Sequence, residues 1–105
     1  MIILEEEILV KKSKEGDFEA FEELVNSHEK NVYNIAWNML RNQEDAEEVL
    51  QETFIKAYNK LNQFEGRSKF STWLYRIATN ESLMMIRKKN PIQPVYLDEP
   101  VDDGY

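Results

Sequence analysis

The chain has 105 residues, the size of one domain, and its hydrophobic fraction of 42% supports a modest core and excludes a wholly disordered chain. It contains no cysteine, which excludes disulfide scaffolds and thiolate metal sites. The net charge of −7 argues at first sight against nucleic acid, and the opening apolar run of four residues before Glu5 is too short for a signal peptide or a membrane span, so a cytoplasmic protein with no membrane insertion is expected.

The body of the chain is poor in glycine and proline, which favours helices. Ile3–Lys14 predicts a short helix with Leu4, Ile8 and Leu9 on one side. Gly16 supplies its stop, and Asp17 is placed to cap the next helix. That second helix is expected to run to about Leu40. Its apolar positions, Phe18, Phe21, Leu24, Val25, Val32, Ile35, Ala36, Met39 and Leu40, follow helical steps. Asn42 is expected to cap a third helix, with Glu44 and Asp45 on the favourable side of the helix dipole. Its buried stripe is Ala46, Val49, Leu50, Phe54, Ala57 and Leu61. Asn62–Ser68 is a turn-like break around Gly66. Ser68 is expected to cap a fourth helix with Phe70, Trp73, Leu74, Ile77 and Ala78 facing inward. That helix ends on Arg87, Lys88 and Lys89 before Asn90-Pro91. The predicted fold class is all-α: a compact bundle of three long helices plus a short N-terminal helix, formed by residues 1–90. Residues 91–105, with four acids and no base, are expected to be an acidic linker or tail.

No catalytic constellation assembles, so no enzyme activity, cofactor or metal is expected. The single histidine, His28, lacks a cysteine, a serine triad or a Glu-x-x-His partner, and is expected to be a surface or boundary residue. There is no glycine-rich phosphate loop, and the clusters Glu5–Glu7 and Glu44–Glu48 lack metal-loop spacing; they fit solvated helix faces.

Charge is divided along the chain. Residues 1–63 carry 14 acids against 7 bases, whereas residues 64–90 carry 2 acids against 6 bases. Screening confines charge effects to about 10 Å, so a local basic patch can bind phosphates on an acidic chain. Within residues 64–80 stand four aromatics (Phe64, Phe70, Trp73, Tyr75), three bases (Arg67, Lys69, Arg76) and five small polar residues (Ser68, Ser71, Thr72, Thr79, Asn80). Single-stranded DNA binding asks for such a mix: cations track the backbone, aromatic planes stack on bases, and amides or hydroxyls meet base edges. Core packing alone would account for Phe70 and Trp73. If Phe70, Leu74, Ile77 and Ala78 face inward, then Thr72, Arg76, Thr79 and Asn80 line an exposed strip beside the Gly66 loop.

The strings Asp45-Ala-Glu-Glu-Val-Leu-Gln-Glu-Thr-Phe-Ile-Lys-Ala-Tyr58 and Phe70-Ser-Thr-Trp-Leu-Tyr-Arg-Ile-Ala-Thr-Asn80, with Phe64 between them, resemble region 2 of bacterial sigma factors. The likeness is to the extracytoplasmic-function (ECF, group 4) branch, whose opening Gly16-Asp17-Phe18-Glu19-Ala20-Phe21 also fits, and it covers about residues 5–90. The resemblance implies a transcription initiation factor domain. It would bind core RNA polymerase, at the clamp helices of the largest catalytic subunit, through Glu48, Gln51, Glu52 and Ile55. It would recognise and melt the promoter −10 element by capturing non-template-strand bases. A base flipped from the duplex would enter a pocket formed or bordered by Asn80 and the loop Phe64, Arg67, Ser68 and Lys69, with Thr72 and Thr79 on the adjoining strip. Lys56, Arg76 and the Arg87, Lys88, Lys89 cluster would hold phosphates, and Trp73 would stack or support the pocket floor. An anti-sigma factor is a usual partner in this branch, although no residue here identifies one. A full sigma factor of this kind has a second helical domain reading the −35 element; the acidic end of the chain resembles the start of the linker leading there, so a piece of a longer protein is expected. The competing expectation is a polymerase-binding adaptor or decoy domain without DNA reading.

Overall fold

The computed structural model describes residues 2–90, with side chains from Glu5 onward. Four helices follow in order: α1 (Ile2–Lys14), α2 (Phe18–Leu40), α3 (Gln43–Asn59) and α4 (Phe70–Lys89), with a single 3₁₀ turn at Leu61–Gln63. No strand occurs among the described residues, so the all-α bundle of three long helices and a shorter leading one is the observed architecture. The linker or tail expected over 91–105 lies outside the described residues.

Local chemistry sets the helix ends. Gly16 adopts φ 100°, and the bonds from its N–H to the Ser13 carbonyl and from the Asp17 N–H to the Lys12 carbonyl close α1 in a Schellman arrangement. The Asp17 carboxylate accepts from the Ala20 N–H at 3.1 Å, and the Asn42 side chain accepts from the Asp45 N–H at 2.9 Å, so both expected caps form. Ser68 does not cap α4. Lys69 occupies that position without a side-chain cap, and the Ser68 hydroxyl donates to the Lys69 carbonyl instead. Helix α3 also stops earlier than its apolar stripe suggests: Leu61 is buried, but from the 3₁₀ turn.

The core sits where α2, α3 and α4 meet. Leu24, Val32, Leu74, Val49, Ala36, Ala46, Ala57 and Ala78 are almost fully buried, and the four alanines let helix axes approach closely. Each large aliphatic side chain among them contributes about 1.5–3 kcal/mol relative to exposure. The larger cluster reaches Phe64 and Phe70, so the core extends to the base of the loop before α4. Phe18 departs from the expected stripe. It lies at the first position of α2 and is 59% exposed, because Phe21 and Leu24 take the inward positions. No described helix is long and apolar enough to cross a membrane.

Candidate nucleic-acid interface

The loop between the 3₁₀ turn and α4 is pinned at both ends. On entry, the Phe64 N–H donates to the Leu61 carbonyl, and the Phe64 ring, 8% exposed, meets Trp73 at 5.0 Å and Phe70 at 5.9 Å between centroids. On exit, the Lys69 carbonyl accepts the Trp73 N–H at 3.2 Å. Between these anchors the chain reverses at Gly66, whose φ of 79° suits a residue without a side chain. Arg67, Ser68 and Lys69 are exposed around it.

This loop separates two clefts. The one on the α4 side holds about 240 Å³ and is lined by Gln63, Phe64, Glu65, Arg67, Ser68, Trp73 and Arg76. The other, of about 360 Å³, lies against α1 and is lined by Glu6, Glu7, Val10, Lys11 and Lys14 together with Phe64, Glu65, Gly66, Ser68, Lys69 and Phe70. The structure therefore gathers Phe64, Arg67, Ser68, Trp73 and Arg76 around the first cleft, and Lys69 at the second. Phe64 is a wall of both rather than a free stacking surface. Trp73 is half-buried and supported by the Phe64 and Phe70 rings.

Thr72, Arg76 and Asn80 are exposed at four-residue spacing, which puts them on one strip of α4. Asn80 stands one turn, about 6 Å, beyond Arg76. Thr79 is half-buried, and its hydroxyl donates to the Tyr75 carbonyl, so its only proton is committed within the helix. Arg87 and Lys88 are exposed, but they lie about 20 Å along α4 from Trp73 and cannot share its cleft.

Two of the expected phosphate holders are engaged within the protein. Lys56 lies 2.6 Å from Glu81, whose side chain is only 11% exposed, so moving the ammonium to a phosphate would strand a largely buried carboxylate. Lys89 donates to Asp45 at 2.6 Å, and that hydrogen bond holds its pKa above the ordinary lysine value. His28 is not a surface or boundary residue. It is buried, with Nε2 2.5 Å from Glu6 of α1 and Nδ1 2.9 Å from the Tyr75 hydroxyl of α4. Asn31 donates to that hydroxyl at 2.8 Å. Glu6, His28, Tyr75 and Asn31 thus form one hydrogen-bonded group that links α1, α2 and α4.

Glu48, Gln51, Glu52 and Ile55 stand on one stripe of α3 that faces outward, while Ala46, Val49, Thr53 and Ala57 face inward. The stripe runs into an apolar groove of about 290 Å³ lined by Phe18, Phe21, Glu22, Val25, Phe54, Ile55, Tyr58 and Asn59. Phe18, Ile55 and Tyr58 are about half exposed there. Helical spacing predicts Phe18 in the core, and nothing in the sequence singles out Tyr58 beyond its continuing the three-residue step from Glu52 through Ile55. The facing of Phe18 has no signal, because a first-turn position has no preceding turn to fix it.

The Sigma-70 region 2 family model matches residues 24–92. The chain belongs to the sigma-70 region 2 family. Among relatives, it is 45% identical over 92 residues to the ECF RNA polymerase sigma factor SigW of Bacillus subtilis, covering 88% of this chain and 48% of that protein. It is 42% identical over 77 residues to the ECF RNA polymerase sigma-E factor of Escherichia coli, covering 73% of this chain and 40% of that protein. The chain thus spans about half, or less, of the length of these relatives. A solved structure, an engineered region 2 of sigmaE in complex with GTAAAA, superposes with a TM-score of 0.75 at 37% identity, covering 80% of this chain and 87% of that one. The loop residues Phe64, Glu65 and Ser68 line both clefts, and Arg76 of the α4 strip lines the α4-side one.

Proposed function

We propose that this region 2 domain binds core RNA polymerase through the α3 stripe and captures non-template-strand bases of the promoter −10 element at the loop–α4 cleft. The observation that carries the reading is that cleft: an aromatic floor from Trp73 and Phe64, Arg76 and Arg67 at its edges, and Asn80 one turn further on, in a fold shared with a region 2 solved in complex with GTAAAA. Unpairing and unstacking a base costs a few kcal/mol, and seating the extruded base in a shaped cleft offsets that cost. Sequence choice follows, because a base that does not fit returns less. The domain performs no bond chemistry of its own on this reading; the polymerase does, in the cytoplasm.

Roles divide by distance. Arg67, Ser68 and Trp73 serve the captured base, with Arg76, Thr72 and Asn80 along the strand that follows. Arg87 and Lys88, about 20 Å away along the helix, reach phosphates roughly six base pairs off along duplex DNA. The acidic stripe Glu48, Gln51, Glu52 with Ile55 meets the clamp helices, and Phe18 and Tyr58 extend that contact with apolar area. Residues 91–105 lead toward a second domain on this reading, and an anti-sigma factor is a further partner.

The test titrates the chain, with core polymerase, against single-stranded oligonucleotides carrying GTAAAA or a scrambled sequence. Preference for GTAAAA is expected, and Asn80→Ala should reduce it by about 1–3 kcal/mol, the worth of one base-edge contact. The internal pairing of Lys56 and Lys89 favours the adaptor reading to the extent that it removes phosphate contacts. Polymerase binding with no preference between the oligonucleotides would establish that reading instead.

A further inference from the structure

We infer that Lys14 of α1 is a positioning residue for promoter reading: its ammonium holds the base-capturing loop in shape by gripping the Phe64 carbonyl. This inference rests on the DNA-reading role proposed above. The Lys14 Nζ donates to the Phe64 carbonyl at 2.6 Å, across 50 residues of sequence. Among the described residues it is the one hydrogen bond tying the segment 64–69 to α1, α2 or α3. The remaining polar contacts of the segment are local: the Glu65–Arg67 pair is exposed, and the Ser68 hydroxyl bonds its neighbour's carbonyl.

The grip acts where it has most leverage. The Phe64 ring is wedged against Trp73 and Phe70, and the Phe64 carbonyl faces the other way, toward α1. With ring and carbonyl both held, the peptide leaving Phe64 has a fixed direction, and the turn at Gly66 starts from a fixed point. Arg67 and Ser68, which line the α4-side cleft, are carried by that turn. Helix α1 is itself held in register by the Glu6–His28 bond, with His28 linked on to Tyr75 of α4. Lys14 lines only the α1-side cleft, on the far side of the loop from Trp73 and Arg76, so it serves the loop and not the captured base. A glycine-containing loop freed of this bond would sample more shapes and lose part of its selection between bases before losing general attraction for DNA.

The experiment uses the chain with Lys14→Met, which keeps the apolar stem, and Lys14→Arg, which keeps a donor. Binding of GTAAAA and scrambled oligonucleotides is measured across a salt series, and amide hydrogen exchange is followed at Phe64, whose N–H is bonded to the Leu61 carbonyl. Lys14→Met should lower the preference for GTAAAA by about fivefold, the scale of a partly exposed hydrogen bond from a charged group. The salt slope should be unchanged, exchange at the Phe64 amide should quicken, and Lys14→Arg should restore all three. An equal loss for both oligonucleotides with a slope shallower by about one would make Lys14 a phosphate contact and overturn the inference. So would an unaltered preference with unaltered exchange. If the unsubstituted chain shows no preference while Lys14→Met still quickens exchange at Phe64, the DNA-reading role fails and Lys14 keeps only its grip on the loop.

Discussion

At the scale of single residues, the polar groups inside this bundle differ in how well they are satisfied. His28 has a partner at each ring nitrogen. Ser13 and Ser82 bond back to the carbonyls of Leu9 and Ala78. Thr53, fully buried on α3, has a hydroxyl oxygen with no partner. Thr53→Val removes that group at nearly constant shape and should raise stability by about 1 kcal/mol, read as a higher urea midpoint with the same m-value. Such details were not legible in the sequence. The spacing of Phe21, Leu24, Val32, Leu74 and Ala78 announced their burial, because helical period and apolarity are local properties. His28 shares the Leu24–Val32 face, yet a polar residue on an apolar stripe is explained only by partners 22 and 47 residues away.

At the scale of helices, capping chemistry was readable at two of three starts: Asp17 and Asn42 begin α2 and α3 as their sequence positions predict, whereas Ser68 turns its hydroxyl to the Lys69 carbonyl and leaves α4 uncapped. Side-chain pairing between helices was the least readable, and it alters the expected site. Lys89 at the end of α4 is drawn to Asp45 at the start of α3, away from the phosphate role implied by its place in a basic cluster. Its pKa in the folded chain is raised, so the pairing is fully present below the ordinary value of 10.5 and is lost only as pH climbs through the raised value; neutral pH leaves it intact. Asp45→Asn should release the ammonium. On the proposed reading, DNA affinity then rises about equally for GTAAAA and scrambled oligonucleotides, and the salt dependence steepens by up to about one unit of slope. An unchanged slope would show that Lys89 does not reach DNA even when free.

At the scale of the whole molecule, the two proposed surfaces occupy different elements, α3 for one and the loop with α4 for the other, so their functions should separate by mutation. Glu52→Lys places a cation in the acidic stripe and should weaken polymerase binding by about tenfold, chiefly in association rate at low salt, while the preference among oligonucleotides bound by the free chain stays the same. Undiminished polymerase affinity would remove α3 from that interface. The same arrangement gives the uneven charge a thermodynamic consequence. Residues 1–63 are strongly acidic and residues 64–90 basic, so the free chain repels a polyanion at long range even as it offers cations at short range. Covering the acidic stripe with a basic partner removes part of the repulsion without any movement of the helices. On the proposed reading, linkage then runs in both directions: any factor by which polymerase strengthens DNA binding is the factor by which DNA strengthens the hold on polymerase. That cooperativity should fade with added salt, as the screening length shrinks from about 30 Å at 0.01 M to about 8 Å at physiological ionic strength.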